Sequence, residues 1–404
     1  MSHPSPRPPE LTTPIILLMS AATGLIVASN YYMQPLLHTI SEHFRLSETA
    51  AGGIVTTAQL SYAAGLILLV PLGDMIERRA LITGMTALAA VGLLVSAWAG
   101  SFAMLLAGTA LTGFLSVVAQ VLVPFAATLA SPRQRGKAVG TVMSGLLLGI
   151  LLARTFAGVL AGLGSWRTVY WVAALLMLAM AAALWRVLPR YKSPLDLNYG
   201  GLLASIFHLY AREPLFRARS VLGALIFASF SMLWTPLTFL LANPPYSYTD
   251  STIGLFGLAG AAGAIAANRY GRLSDQGRGN LATLVGLALL LGSWGLVALG
   301  AHSLAALLAG VLVLDMAIQG VHVTNQSAIY RLRPDARSRL TAGYMTSYFI
   351  GGALGSLASA ALYAHAGWPG VAAGGAAVSA AALCYGAWAR SARIPENPPA
   401  PAQT

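Results

Sequence analysis

Charge is scarce in this chain. Of 404 residues only 9% are Asp, Glu, Lys or Arg, whereas a soluble domain carries about 25%. So few charges cannot cover the surface of a soluble protein of this length. Acids are scarcer than bases, 12 against 24, which leaves a formal net charge of +12. There is one cysteine, Cys384, so no internal disulfide can form. The chain also lacks a phosphate loop ending in Gly-Lys-Ser/Thr, zinc-type His/Cys spacing and a Gly-x-Ser-x-Gly elbow. Neither an ATP drive nor hydrolytic chemistry is indicated: the chain does not read as an enzyme, and no cofactor or metal is expected. The opening "MSHPSPRPPELTTP" has no basic cluster or small-residue cleavage site beside a short apolar core, so the first apolar run reads as a retained helix.

What is abundant is apolar. Hydrophobic residues make up 57%, and the 42 glycines suit helices whose backbones approach closely in lipid. About twelve runs are long enough to cross about 30 Å of hydrocarbon: 14–37, 49–71, 80–99, 102–128, 137–163, 167–188, 219–242, 252–270, 280–300, 303–328, 340–363 and 368–389. The expected class is an all-α polytopic membrane protein, with the lipid bilayer as its main partner. The basic residues explain themselves as topology rather than nucleic-acid binding. Alternate loops hold Arg78 and Arg79; Arg133, Arg135 and Lys137; Arg190, Lys192 and Arg212; Arg269, Arg272 and Arg278; Arg331, Arg333, Arg337 and Arg339. The opposite loops hold only Arg45 and Arg167. That bias predicts that both termini are cytoplasmic.

The chain repeats itself. "QPLL" at 34–37 matches "TPLT" at 235–238, "PLGDMIERR" at 71–79 matches "RLSDQGRGN" at 272–280, and "SWRTV" at 165–169 matches "GWPGV" at 367–371. The same offset of about 202 pairs Met143 with Met345 and Gly149 with Gly351. The expected organisation is an N-terminal tail 1–13, a six-helix half 14–188, a cytoplasmic connector 189–217, a second six-helix half 218–389 and a tail 390–404. In the connector, Leu202, Leu203, Ile206, Leu209 and Tyr210 share one helical face, as in a short helix lying on the membrane surface.

One stretch is expensive. In "VLDMAIQGVHVTNQ" (313–326), Asp315, Gln319, His322 and Gln326 fall on one helical stripe. A carboxylate at the centre of a spanning helix costs roughly 2.5–3.5 kcal/mol on the lenient insertion scale. Such residues normally face the bundle interior and serve ion or substrate pathways. Asp315 and His322 are therefore the candidate proton-coupling pair, and Gln319, Asn325 and Gln326 candidate hydrogen-bonding partners of a substrate. The alternative is a polar network that only fixes packing. Arg154 reads as the only basic residue deep in a span, suited to an anionic group or to pairing with Asp315. The repeat maps His322 to Gln120 and Asp315 to Gly113.

Two six-helix halves joined by a connector, with a Gly/Asp/Arg loop after the second helix of each, resemble the major facilitator superfamily. Its loop signature reads roughly G-x-x-x-D-R-x-G-R-R. "GRLSDQGR" (271–278) keeps Gly271, Asp275 and Arg278, and "VPLGDMIERR" (70–79) keeps Asp74, Arg78 and Arg79. "GLLLGILLARTFAG" (145–158) resembles the fifth-helix signature of bacterial drug:proton antiporters, with Gly149, Ala153 and Gly158 in register and Arg154 at the family's proline. The family's fourth-helix arginine is replaced by Thr109. The resemblance implies a fold of two pseudo-repeats. It also implies that Asp74, Arg78, Arg79, Asp275 and Arg278 form a cytoplasmic latch. Asn30, Gln34, Gln59, Tyr62, Trp234, Tyr344 and Tyr348 would line a central cavity for organic molecules. The function so expected is proton-coupled efflux of a small organic solute across a bacterial inner membrane by a monomer. A symporter or facilitator importing a nutrient is the alternative.

Overall fold

The computed structural model describes residues 12–131, 134–192, 198–260, 269–270, 272–273, 276, 278–332 and 337–391. All regular structure among them is helical. The first half comprises α1 (Thr13–Ala28), α2 (Leu37–Phe44), α3 (Glu48–Leu68), α4 (Arg78–Ala97), α5 (Phe102–Leu115), α6 (Ala119–Leu129), α7 (Arg135–Leu163) and α8 (Trp166–Val187). After α9 (Tyr199–Arg212), the second half comprises α10 (Pro214–Trp234), α11 (Leu237–Ala242), α12 (Asp250–Leu255), α13 (Gly279–Ala298), α14 (Leu304–Leu332) and α15 (Arg337–Ser391). Nine described segments are long and apolar enough to cross a bilayer. The last holds two expected spans on either side of Gly367, whose φ of 59° breaks the helix and needs a residue without Cβ. The eighth expected span begins at α12, and residues 261–268 lie outside the described set.

Local chemistry sets the ends. Ser47 Oγ accepts from Ala50 N and Ser101 Oγ from Met104 N, each satisfying an orphan donor of a helix start. The expected span 14–37 is corrected: α1 stops at Ala28, and a 3-10 turn over Gln34–Leu36 precedes α2. Pro35 cannot donate, and its ring would clash with the preceding helical turn. Pro236 ends α10 in the same way. These repeat-related breaks meet, since Thr238 Oγ1 donates to Pro35 O at 3.2 Å.

Within the first half α1 packs on α7 and α4 on α5 and α8; within the second, α10 packs on α15 and α13 on α14. The halves touch through α3 with α15 and α7 with α12. Hydrogen bonds between the halves gather at the end opposite the basic loops: Thr39 to Asp250 at 2.7 Å, Ser251 to Gly158 O at 2.9 Å and Thr155 to Gly254 O at 3.0 Å. Outward-facing side chains such as Leu163, Leu175 and Leu354 are 79%, 64% and 62% exposed, an apolar belt that water would penalise and lipid accepts. The connector helix α9 buries Ile206 and Leu209, and Tyr210 Oη donates to Gly343 O at 2.6 Å.

Candidate functional site

Buried polar residues form two groups at this site, one where the halves meet and one within the second half. The first surrounds Arg154, carried by α7 and only 3% exposed. Its Nε donates to Gln34 Oε1 at 2.6 Å. Its guanidinium lies 3.9 Å from the centre of the Trp234 ring, 5.1 Å from that of Tyr31 and 5.6 Å from that of Phe230. Ring faces attract a cation most when water is excluded. Trp234 Nε1 in turn donates to Asp315 Oδ1 at 3.2 Å. The indole therefore touches both, the base over its face and the acid at its edge, and no ion pair joins Arg154 to Asp315. Small residues make this approach possible. A Cβ on Gly254 would lie 2.5 Å from Arg154 O, and one on Gly257 2.9 Å from Arg154 Cβ. Arg154 Nη2 is buried without a hydrogen-bond partner.

The second group lies further along α14. His322 Nδ1 and Tyr344 Oη are 3.0 Å apart, and the His322 ring lies 4.7 Å from that of Tyr348. Asn325 Nδ2 donates to Tyr344 Oη at 3.4 Å. Asn325 Oδ1 accepts from Arg219 Nη1 at 3.2 Å, and Arg219 also reaches Thr283 and Asn280. Gln319 and Gln326 are half-buried on the same helix. Across the seam, Gln59 Nε2 donates to Ser231 Oγ at 3.1 Å and Tyr62 packs against Phe349 with centroids 4.2 Å apart; within the first half, Gln120 Nε2 donates to Tyr62 Oη at 3.4 Å. Asn30 lies away from Arg154, against α4, α5 and α8.

Arg154 is not the only deeply buried base. Arg219, on α10, is 4% exposed. It stands at the edge of its apolar run, where sequence alone reads a base as interfacial; its amide and hydroxyl partners come from other helices. Tyr31 and Phe230 also face the Arg154 guanidinium; the only sequence signal for either is that Phe230 and Trp234 share a helical face at i, i+4. In the first loop Arg78 Nη2 meets Asp74 Oδ1 at 3.0 Å, Nη1 donates to Thr128 Oγ1 at 3.0 Å and Nε to Gly73 O at 2.8 Å. Arg79 packs over Trp185 at 4.5 Å. These contacts stay inside the first half. Asp275 lies outside the described residues, and Arg278 is exposed just before α13.

A profile described as Major Facilitator Superfamily matches residues 19–332. The chain belongs to this superfamily. It is 61% identical over 370 residues to the uncharacterized transporter YgaY of Escherichia coli O157:H7, covering 92% of this chain and 94% of that one. A Streptomyces coelicolor protein described as a transporter is 32% identical over 397 residues, covering 97% and 89%. Among solved structures, a bacterial homologue of the human lysosomal transporter Spinster, inward-facing and unoccupied, superposes with a TM-score of 0.71 at 17% identity over 94% of this chain and 95% of its own. The chain is thus a multi-pass membrane transporter and not an enzyme.

Proposed function

We propose that this superfamily member is a proton-coupled secondary transporter that exports a small organic solute from the bacterial cytoplasm by rocking its two halves about the seam. One observation carries the reading. Opposite charges, Arg154 from the first half and Asp315 from the second, are both buried where the halves meet; each contacts Trp234, and no ion pair joins them. Burial makes an isolated carboxylate costly unless it is neutralised or paired. A proton on Asp315 in one state and a closer approach of Arg154 in the other would both relieve that cost. Movement between the halves would then be tied to proton binding. The aromatic and amide surroundings suit a solute with apolar and polar parts. His322, Gln319, Asn325 and Gln326 continue the same stripe. In this reading the chain acts as a monomer with both termini cytoplasmic.

The test is transport into inverted vesicles of a compound found by growth-screening the deletion strain. Asp315→Asn keeps the shape but cannot titrate. It should abolish uphill transport driven by a pH gradient while retaining substrate-for-substrate exchange, and Asp315→Glu should keep part of the driven rate. Driven transport by Asp315→Asn at the wild-type rate removes Asp315 from coupling. Accumulation on the opposite side under the same gradient identifies an importer.

A further inference from the structure

A small cavity of about 10 Å³ lies inside the first half, away from the Arg154 group. Six polar side chains line it: Ser29 and Asn30 after the end of α1, Ser96 on α4, Thr109 and Thr112 on α5, and Tyr170 on α8; Ser29 Oγ is served by Ile26 O and Ser116. Ser96, Thr109, Thr112 and Tyr170 are 1%, 4%, 4% and 3% exposed. None of the four hydroxyls has a hydrogen-bond partner in the protein, and neither does Asn30 Nδ2 or Oδ1. Among the described residues these are six of eleven such buried atoms, so the unsatisfied groups are concentrated rather than scattered. Comparable hydroxyls nearby are served locally, Thr23 by Met19 O and Thr86 by Ile82 O.

The surroundings explain why a guest belongs here. Two helices are interrupted at this level, α1 after Ala28 and α5 after Leu115, and Ser29 Oγ lies 2.9 Å from Ser116 Oγ across the gap. In hydrocarbon, interrupted backbone and polar side chains persist only where protein groups or ordered water satisfy them. The volume is about what one water molecule needs. The lining offers hydroxyls that donate or accept and an amide that does both. That mixture fits water. A bare cation would be served by oxygens alone and would bring an uncompensated charge into the half. We propose that this cavity is a structural water site, its single water bridging Asn30 to the hydroxyls of α4, α5 and α8 and so holding the break after α1 in place.

The test turns on a sign. Thr109→Val and Tyr170→Phe remove a hydroxyl with almost no change of shape. If a water is bound, each variant deprives it of a partner and lowers the unfolding temperature of the purified full-length protein in detergent by about 1–2 °C. The double variant Thr109→Val/Tyr170→Phe should lose more than the sum of the two, because the remaining polar groups lose their guest. If the cavity is dry, each variant removes a buried unsatisfied group and raises the unfolding temperature, and that result overturns the proposal. An unchanged temperature overturns it as well. The measurements are made in sodium chloride and in choline chloride. A wild-type temperature that rises in sodium and fails to rise in Thr109→Val identifies a cation in place of water and also overturns the proposal. A double variant that yields no folded protein, with single variants destabilised in both salts, counts in its favour, since a dry cavity predicts the opposite sign.

Discussion

Arg154 holds its position through geometry that only a guanidinium supplies. The planar group donates sideways through Nε to Gln34 while its face lies on Trp234. Lysine carries the same charge as a compact ammonium and cannot do both. A desolvated cation–ring contact contributes about 2 kcal/mol or more. Arg154→Lys should therefore lower transport at least about tenfold while leaving the amount of inserted protein near wild type, as read by uptake normalised to expression. Arg154→Ala should lower it further. Equal, normal rates in both variants would detach Arg154 from the transport cycle. Arg219 shows the opposite use of the same residue type. Its partners Thr283, Asn325 and Asn280 come from α13 and α14, so it braces the helices behind the His322 group.

Glycine sets how close helices can come, and the repeat places it equivalently in both halves. A Cβ on Gly149 would lie 2.2 Å from Gly24 O, and one on Gly351 2.0 Å from Ala224 O. Gly355 makes the same approach to Ala228 O at 2.2 Å. These are backbone atoms of the neighbouring helix, so a side chain can fit only if the helices separate. Lipid offers no hydrophobic force to press helices together, so close packing is what joins them. Overpacking such a contact costs about 1–3 kcal/mol. Gly351→Ala should therefore lower the unfolding temperature in detergent. Gly53, whose added Cβ would meet nothing within 4 Å, supplies the control: Gly53→Ala on α3 should be neutral or slightly stabilising.

At the scale of the whole molecule, the described contacts close one end of the seam. Thr39 of α2 donates to Asp250, which begins α12, and His38 and Glu42 face the same carboxylate from α2. Burial pushes the Asp250 carboxyl above its ordinary range, against the opposing pull of the Thr39 hydrogen bond and of His38. A carboxyl whose pKa is higher in the closed end than in an open, solvated one binds more protons when closed. Closure is then favoured at low pH and weakens as pH rises from the ordinary carboxylate value through the raised one. Asp250→Asn, neutral throughout, should keep this end closed and erase that pH dependence. Distances between spin labels on exposed residues of α2 and of the 243–249 loop, followed across pH in a Cys384→Ala background, report it. The charge bias makes a second global prediction. Reporter fusions should place residue 200 on the same side of the membrane as both termini and residue 247 on the other.

Much of this architecture was legible in the chain itself. Scarcity of charge forces the chain into lipid, because a surface of Leu, Val and Ala cannot face water. Lys and Arg positions carry the expected orientation, and an offset near 202 carries the repeat that Gly149 and Gly351 express in matching contacts. The period of 3.6 residues put Asp315, Gln319, His322 and Gln326 on one stripe. Periodicity names the face of a helix and not what stands opposite. Only the tertiary structure decided that Trp234 contacts both Arg154 and Asp315, that Arg219 is as buried as Arg154, and that Asn30 turns toward the hydroxyls of α4, α5 and α8 rather than joining Gln34. The break after α1 was half visible in Pro35, yet the start at Ser29 was not, because Ser29 finds its partner in Ser116, on another helix 87 positions away. Such partners are chosen by packing across the bundle, and a linear pattern of residue types does not encode them.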